Sequence, residues 1–141
     1  MTDDFSTAPQ PLRRAKVFDG RKEDGSPLVL RSDLPSVDEI MRVVGYLKAA
    51  PTILFGRGLD KDAWSSEDLP VVPRSFSTDG TWIWSGAVTY YLQKYGMPPE
   101  PELLAHVRAQ NYTLPEVSEE ARRAASAQLT GGGPVPAAAG A

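Results

Sequence analysis

The stretch SFSTDGTWIWSG, residues 75–86, sets an Asp-Gly pair between two runs of alternating hydroxyl and large apolar side chains. Such a pair is a strong local signal for a tight hairpin turn, because glycine takes positive φ without a Cβ penalty and aspartate tolerates it. The spacing predicts strands over about 74–78 and 81–84, joined by a type I′ turn at Asp79-Gly80. That register puts Ser77 opposite Trp82 and Ser75 opposite Trp84 on one face, with Phe76 opposite Ile83 on the other. A ribbon with bulk on both faces must be covered twice or must leave one face for something else. Phe76 and Ile83 make an ordinary core pair. Trp82 and Trp84 make a wide amphipathic surface whose indole N–H groups need partners. Burial is the commonest use of such side chains. The alternatives are a protein interface, where Trp, Tyr and Arg are enriched, and a small-molecule pocket lined by indoles.

The rest of the chain supplies what could cover the ribbon. KVFDG and PLVLRS flank the turn-prone RKEDGSP and read as a hairpin. In PSVDEIMRVVGYLKAAP, Ser36 and Glu39 have capping-box spacing, Ile40, Val43, Val44 and Leu47 share a helical face, and Pro51 stops the helix. TILF has β character, and GRGLDKDAWSSEDLP around Trp64 has loop composition. Ser85 is placed to cap a helix striped by Ala87, Val88, Tyr91, Leu92 and Tyr95, with Gly96 just past its end. Proline and acidic residues open a further helix carrying Leu103, Leu104 and Val107 inward, and an alanine-rich helix is expected over about 116–129. Strands, helix, strands and helices make an α+β single domain, a small mostly antiparallel sheet packed against three or four helices. Residues 16–129 are expected to form it. Residues 1–15, polar and Pro-containing, are expected to be a mobile tail, and the Gly/Pro/Ala-rich 130–141 a disordered one.

Composition narrows the function. A chain of 141 residues with 41% hydrophobic content can bury a core without staples. It has no cysteine, so disulfides, thiolate nucleophiles and Cys-ligated zinc are excluded. Its 15 basic and 18 acidic residues are interspersed and sum to −3. The densest basic group, Arg13, Arg14 and Lys16, is offset by Asp19, Glu23 and Asp24, so no nucleic-acid partner is expected. MTDDFSTAPQ begins acidic and lacks an apolar h-region, and no window is apolar enough for a membrane helix, so a cytoplasmic location without membrane association is expected.

Catalytic signals are weak. His106 is the sole histidine, which argues against a zinc site. The Gly-x-Gly of LFGRGLD lacks the remainder of a dinucleotide or P-loop fingerprint, and no Gly-x-Ser-x-Gly is present. Asp79 is explained as a turn residue accepting backbone hydrogen bonds. No catalytic residue, metal or cofactor is expected. Asp79, Trp82, Trp84, Tyr90 and Trp64 are the candidate partner-binding residues of a non-catalytic protein-binding module. The competing reading is a small ligand-binding or hydrolytic domain with a pocket around Asp79, Trp82 and His106.

STDGTWIWSGAVTYYLQKYGMPPEPELLAHVRA resembles a group of small actinobacterial proteins encoded beside polymorphic toxin genes. The shared features are Asp79, Gly80, Trp82, Trp84, Tyr90, Tyr91, Gly96 and the Pro98-Pro99 stretch, within a likeness spanning roughly residues 28–110. The resemblance implies a toxin-neutralising immunity protein that acts by occlusion, with a cognate toxin as its protein partner.

Overall fold

A computed structural model of the chain describes residues 12–131. Its elements in chain order are β1 (Arg13–Arg14), β2 (Gly20–Arg21), β3 (Pro27–Leu28), α1 (Val37–Ala49), β4 (Thr52–Leu54), β5 (Leu59–Lys61), β6 (Pro70–Pro73), β7 (Phe76–Thr78), β8 (Trp82–Ser85), α2 (Gly86–Tyr95), α3 (Pro101–Ala109) and α4 (Glu119–Leu129). The main sheet has the order β1-β8-β7-β4, antiparallel except for the parallel β1–β8 pair. Two short ribbons, β2-β3 and β5-β6, complete an α+β domain.

The helix ends follow their local chemistry. Ser36 Oγ accepts the Glu39 N–H at 3.1 Å, and Ala50 is extended before Pro51, where the proline ring disfavours helix. Ser85 Oγ caps α2 through the Ala87 N–H, and Gly96, at φ 71°, ends it with its own N–H on the Leu92 carbonyl. The reciprocal arm of the expected capping box is not made. Glu39 turns away to take Arg108 Nε and the Tyr112 hydroxyl, both at 2.6 Å, which ties α1 to the end of α3.

The hairpin forms with its turn displaced. Phe76 pairs with Ser85, Ser77 with Trp84 and Thr78 with Ile83, so Asp79 stands opposite Trp82 and the turn centre is Gly80-Thr81. The faces are as expected, but every cross-strand partner has moved by two residues. Asp79 causes this: its Oδ1 accepts the N–H groups of Thr81 (2.9 Å) and Trp82 (2.8 Å), holding it at the start of the turn. Gly80 then takes φ 94° while Thr81 keeps negative φ, the pattern of a II′ turn and not of I′.

Two boundaries differ from expectation. Arg13 and Arg14, assigned to a tail, pair with β8, and Leu12 exchanges hydrogen bonds with the Gln128 side chain on α4. Residues 1–11 and 132–141, the remainder of the two expected tails, lie outside the described residues. The stretch expected to be loop around Trp64 contains β5, which pairs with β6. Leu59, Asp60 and Lys61 are all exposed, so no apolar alternation marks them as a strand. The ribbon lies close against α2, where a Cβ on Gly86 would come within 2.7 Å of Pro73 Cβ.

The core has a main cluster and a smaller second one, in which Val72 of β6 packs with Ala87 and Tyr91 of α2 and with Met97. The main cluster draws on three helices and β8. Val43, Tyr46 and Leu47 of α1, Trp82 and Trp84 of β8, Val88 and Leu92 of α2, and Leu103, Leu104 and Val107 of α3 meet there. Arg31 is sealed at its edge, giving its guanidinium to Asp19 and to the carbonyls of Pro98 and Lys16.

Candidate functional site

The five expected partner-binding residues separate in space. Trp82 and Trp84 are buried at 3% and 1% exposure, and Asp79 is buried with them. A partner cannot touch these three without opening the core, which corrects their expected place on a surface. The reason is the two-sided coverage of the hairpin: α1 and α3 close over the indole face, and Arg13 stacks its guanidinium 4.3 Å from the Trp82 ring. Tyr90 is half-buried, and Trp64 remains partly open at 39%.

Asp79 does gather the groups that the ligand-binding alternative invoked. Its Oδ2 accepts the Tyr46 hydroxyl at 2.6 Å and meets His106 Nε2 at 2.8 Å. Burial, reinforced by the adjacent carboxylate, pushes the Tyr46 phenol well above its ordinary value, so it stays a hydrogen-bond donor. The arrangement joins α1, the hairpin turn and α3 through one carboxylate with all its lone-pair directions used. A hydrolytic site needs space for substrate beside such a pair. Three cavities of the described residues bear on this, and none of the three is lined by Asp79, Trp82, His106 or Tyr46.

A second buried carboxylate, missed in the sequence, organises Tyr90 and Trp64. Asp62 accepts the hydroxyls of Tyr90 (2.7 Å) and Tyr95 (2.8 Å) and the backbone N–H of Trp64 (2.8 Å). Lys94 Nζ sits 3.4 Å away and over both tyrosine rings. Burial alone would raise the Asp62 carboxyl, but these donors outweigh it and hold it down at about 2. Trp64 packs edge-on against Phe18, Tyr91 and Tyr95, forming the wall of an aromatic corner beside a cleft of about 690 Å³. Tyr-Tyr spacing on α2 was visible in the sequence, whereas nothing local marked Asp62, 28 residues from Tyr90, as its acceptor.

The third feature is an apolar groove of about 350 Å³ between α1 and the end of α2, lined by Val37, Ile40, Met41, Val44, Leu92, Gln93 and Gly96 with no charged side chain. Of its lining residues Val37 and Met41 are 74% and 69% exposed, and Leu34, three residues before Val37, is 71% exposed. Helix α1 thus carries two apolar stripes: Val43, Tyr46 and Leu47 inward, and Val37 with Met41, one turn apart, outward. The pair Val37/Met41 was legible as an i, i+4 repeat off the inward face.

Among the described residues no group of three or more His, Asp or Glu side chains is arranged to hold a metal ion, and no helix is long and apolar enough to cross a membrane. No family model, no curated protein and no solved structure matches the chain.

Proposed function

We propose that the chain is a non-catalytic protein-binding module that docks its partner on the α1–α2 groove, and that its biological role is toxin neutralisation by occlusion. The observation that carries the binding reading is the exposure of Val37 and Met41 in the wall of a groove without a charged side chain. Val37 and Met41, one helical turn apart and each more than two-thirds in water, leave contiguous apolar area with the groove that a partner would cover favourably. A groove of this kind suits one or two aliphatic or aromatic anchors of another protein, and the net charge of −3 favours approach of a basic surface. The toxin-neutralising role rests on the resemblance of residues 28–110.

The test is a comparison of captured partners. Wild type and the double variant Val37→Asp/Met41→Asp are immobilised and exposed to lysate of the source organism and, separately, to the product of any toxin-like gene beside its own. The wild type is expected to retain a specific protein that the variant loses while both melt at similar temperatures. Retention of the same protein by both, or of none by either, would refute the groove as the docking surface.

A further inference from the structure

The third cavity, about 320 Å³, meets the apolar groove at Gln93 of α2, which lines both, and contains a set of polar groups that the fold does not use. Its floor is Trp84, buried to 1% exposure, and its walls include Leu47 and Pro73. Ser75 and Ser77 enter from the hairpin, Thr89 and Gln93 from α2, and Lys48 from the last turn of α1. The Trp84 indole N–H and the side chains of Ser75, Ser77, Thr89, Gln93 and Lys48 make no hydrogen bond to any described residue.

Those groups are unlike the polar residues elsewhere in the domain. Asp62, Asp79, Glu39 and Arg31 are each fully engaged. Thr130, the C-cap of α4, bonds back to the Ser126 carbonyl, whereas Thr89, inside α2 and 9% exposed, makes no such bond to Ser85. A buried indole N–H and a buried hydroxyl without partners carry an energetic penalty, and such penalties are tolerated where a ligand relieves them. Lys48 is the one charged side chain among the residues that line this cavity. An ammonium, an indole N–H, an amide and the hydroxyls of Thr52, Ser75, Ser77 and Thr89 can all donate, the Tyr90 hydroxyl is already given to Asp62, and no Asp or Glu lines it.

We propose that this cleft binds a small organic anion: an oxyanion, carboxylate or phosphate, carried on a compact apolar body. Lys48 and the hydroxyls of Ser75, Ser77 and Thr89 meet the charged oxygens through charge-assisted hydrogen bonds. The apolar body lies between Leu47, Pro73 and the indole of Trp84. The volume is at the small end of ligand pockets, which run from roughly 300 to 1,000 Å³, so a single ring or short chain fits and a dinucleotide does not. This site shares only Gln93 with the groove proposed for the protein partner, and Lys48, Trp84 and the hydroxyls belong to the cleft alone, so the two proposals stand or fall separately.

The test is an amide and indole N–H NMR titration of the full chain with benzoate, with phenyl phosphate and with neutral benzyl alcohol. Benzoate or phenyl phosphate is expected to shift the Trp84 indole resonance saturably and to leave that of Trp64 in place; the tighter of the two identifies the oxyanion. Lys48→Met, an exposed change that leaves the core untouched, is expected to weaken binding about tenfold, the worth of one charge-assisted contact. Benzyl alcohol is expected to give no saturable shift. The proposal is overturned if neither anion moves the Trp84 resonance, if Lys48→Met binds as tightly as wild type, or if the neutral alcohol binds as well as the anions.

Discussion

Replacing Asp79 by alanine removes the acceptor for four hydrogen bonds at once: Thr81 N–H, Trp82 N–H, the Tyr46 hydroxyl and His106 Nε2. Two of these, Trp82 N–H and Tyr46 hydroxyl, are in fully buried bonds. The other two reach the protein's margin, where water can replace the lost acceptor. At about 1–3 kcal/mol for each buried donor left unsatisfied, Asp79→Ala should cost about 2–6 kcal/mol, a large part of the roughly 5–15 kcal/mol by which a domain is stable. Asp79→Asn keeps the oxygen that serves Thr81 and Trp82. Its amide nitrogen can donate to the Tyr46 oxygen, and to His106 in the tautomer that leaves Nε2 bare, so the expected loss is only about 1–2 kcal/mol. Urea unfolding followed by fluorescence of the buried Trp82 and Trp84 measures both. Asparagine as damaging as alanine, or alanine within about 1 kcal/mol of wild type, would show that the carboxylate does not tie the three elements together. If the alanine variant fails to fold, the asparagine variant still decides between the two accounts.

Three further outcomes follow from the geometry. Gly86→Ala places a Cβ at 2.7 Å from Pro73 Cβ, so the β5-β6 ribbon must move off α2; a loss of about 1–3 kcal/mol in thermal or urea unfolding is expected. Arg31→Lys keeps the charge but cannot reach Asp19, Pro98 and Lys16 together, and should cost about 2–3 kcal/mol by the same measurement; an unchanged midpoint would mean the fork is dispensable. Glu39 is held at about 2, below its ordinary 4.5, by the Arg108 guanidinium and then the Tyr112 hydroxyl. Its folded state therefore binds fewer protons than the unfolded chain between those values, so its contribution is complete above pH 4.5 and disappears as pH falls toward 2. Arg108 is 36% exposed, and after solvent screening the difference between wild type and Glu39→Gln across that window should be about 1–2 kcal/mol. Parallel stability curves for the two proteins would refute it.

What the sequence made legible was local. Ser36, Ser85, Gly96 and Pro51 mark helix ends through contacts within a few residues of themselves, and each acts as its chemistry requires. The faces of the hairpin followed from period-two alternation, but its register did not, because a one-residue choice by the Asp79 side chain decides where the turn closes. The strand at Arg13–Arg14 is invisible locally: two exposed arginines become a strand because β8 offers a free edge and Trp82 and Phe76 offer rings for their guanidinium groups. Long-range polar ties are equally silent. Tyr46 and His106 lie 33 and 27 residues from Asp79, and neither has a neighbour in sequence that announces the contact.

The largest revision concerns which hydrophobic groups face outward, and it has a physical cause that applies beyond this hairpin. Two tryptophans on a strand look like a display surface because they are large and carry a donor, yet the same size makes their exposure the most costly in the chain, so the helices close over them first. Val37 and Met41 look unremarkable because each is small enough to stand alone on a helix surface. Neither is explained by the inward stripe of α1, however, and the cleft they border has no internal side chain to fill it. An unfilled apolar groove therefore points to a partner more directly than a filled indole face. The same reasoning applied to polar atoms separates the engaged Asp79 from the unengaged Trp84 N–H and Thr89 hydroxyl: interaction capacity left over after folding, not the conspicuousness of a residue type, is what remains available for function.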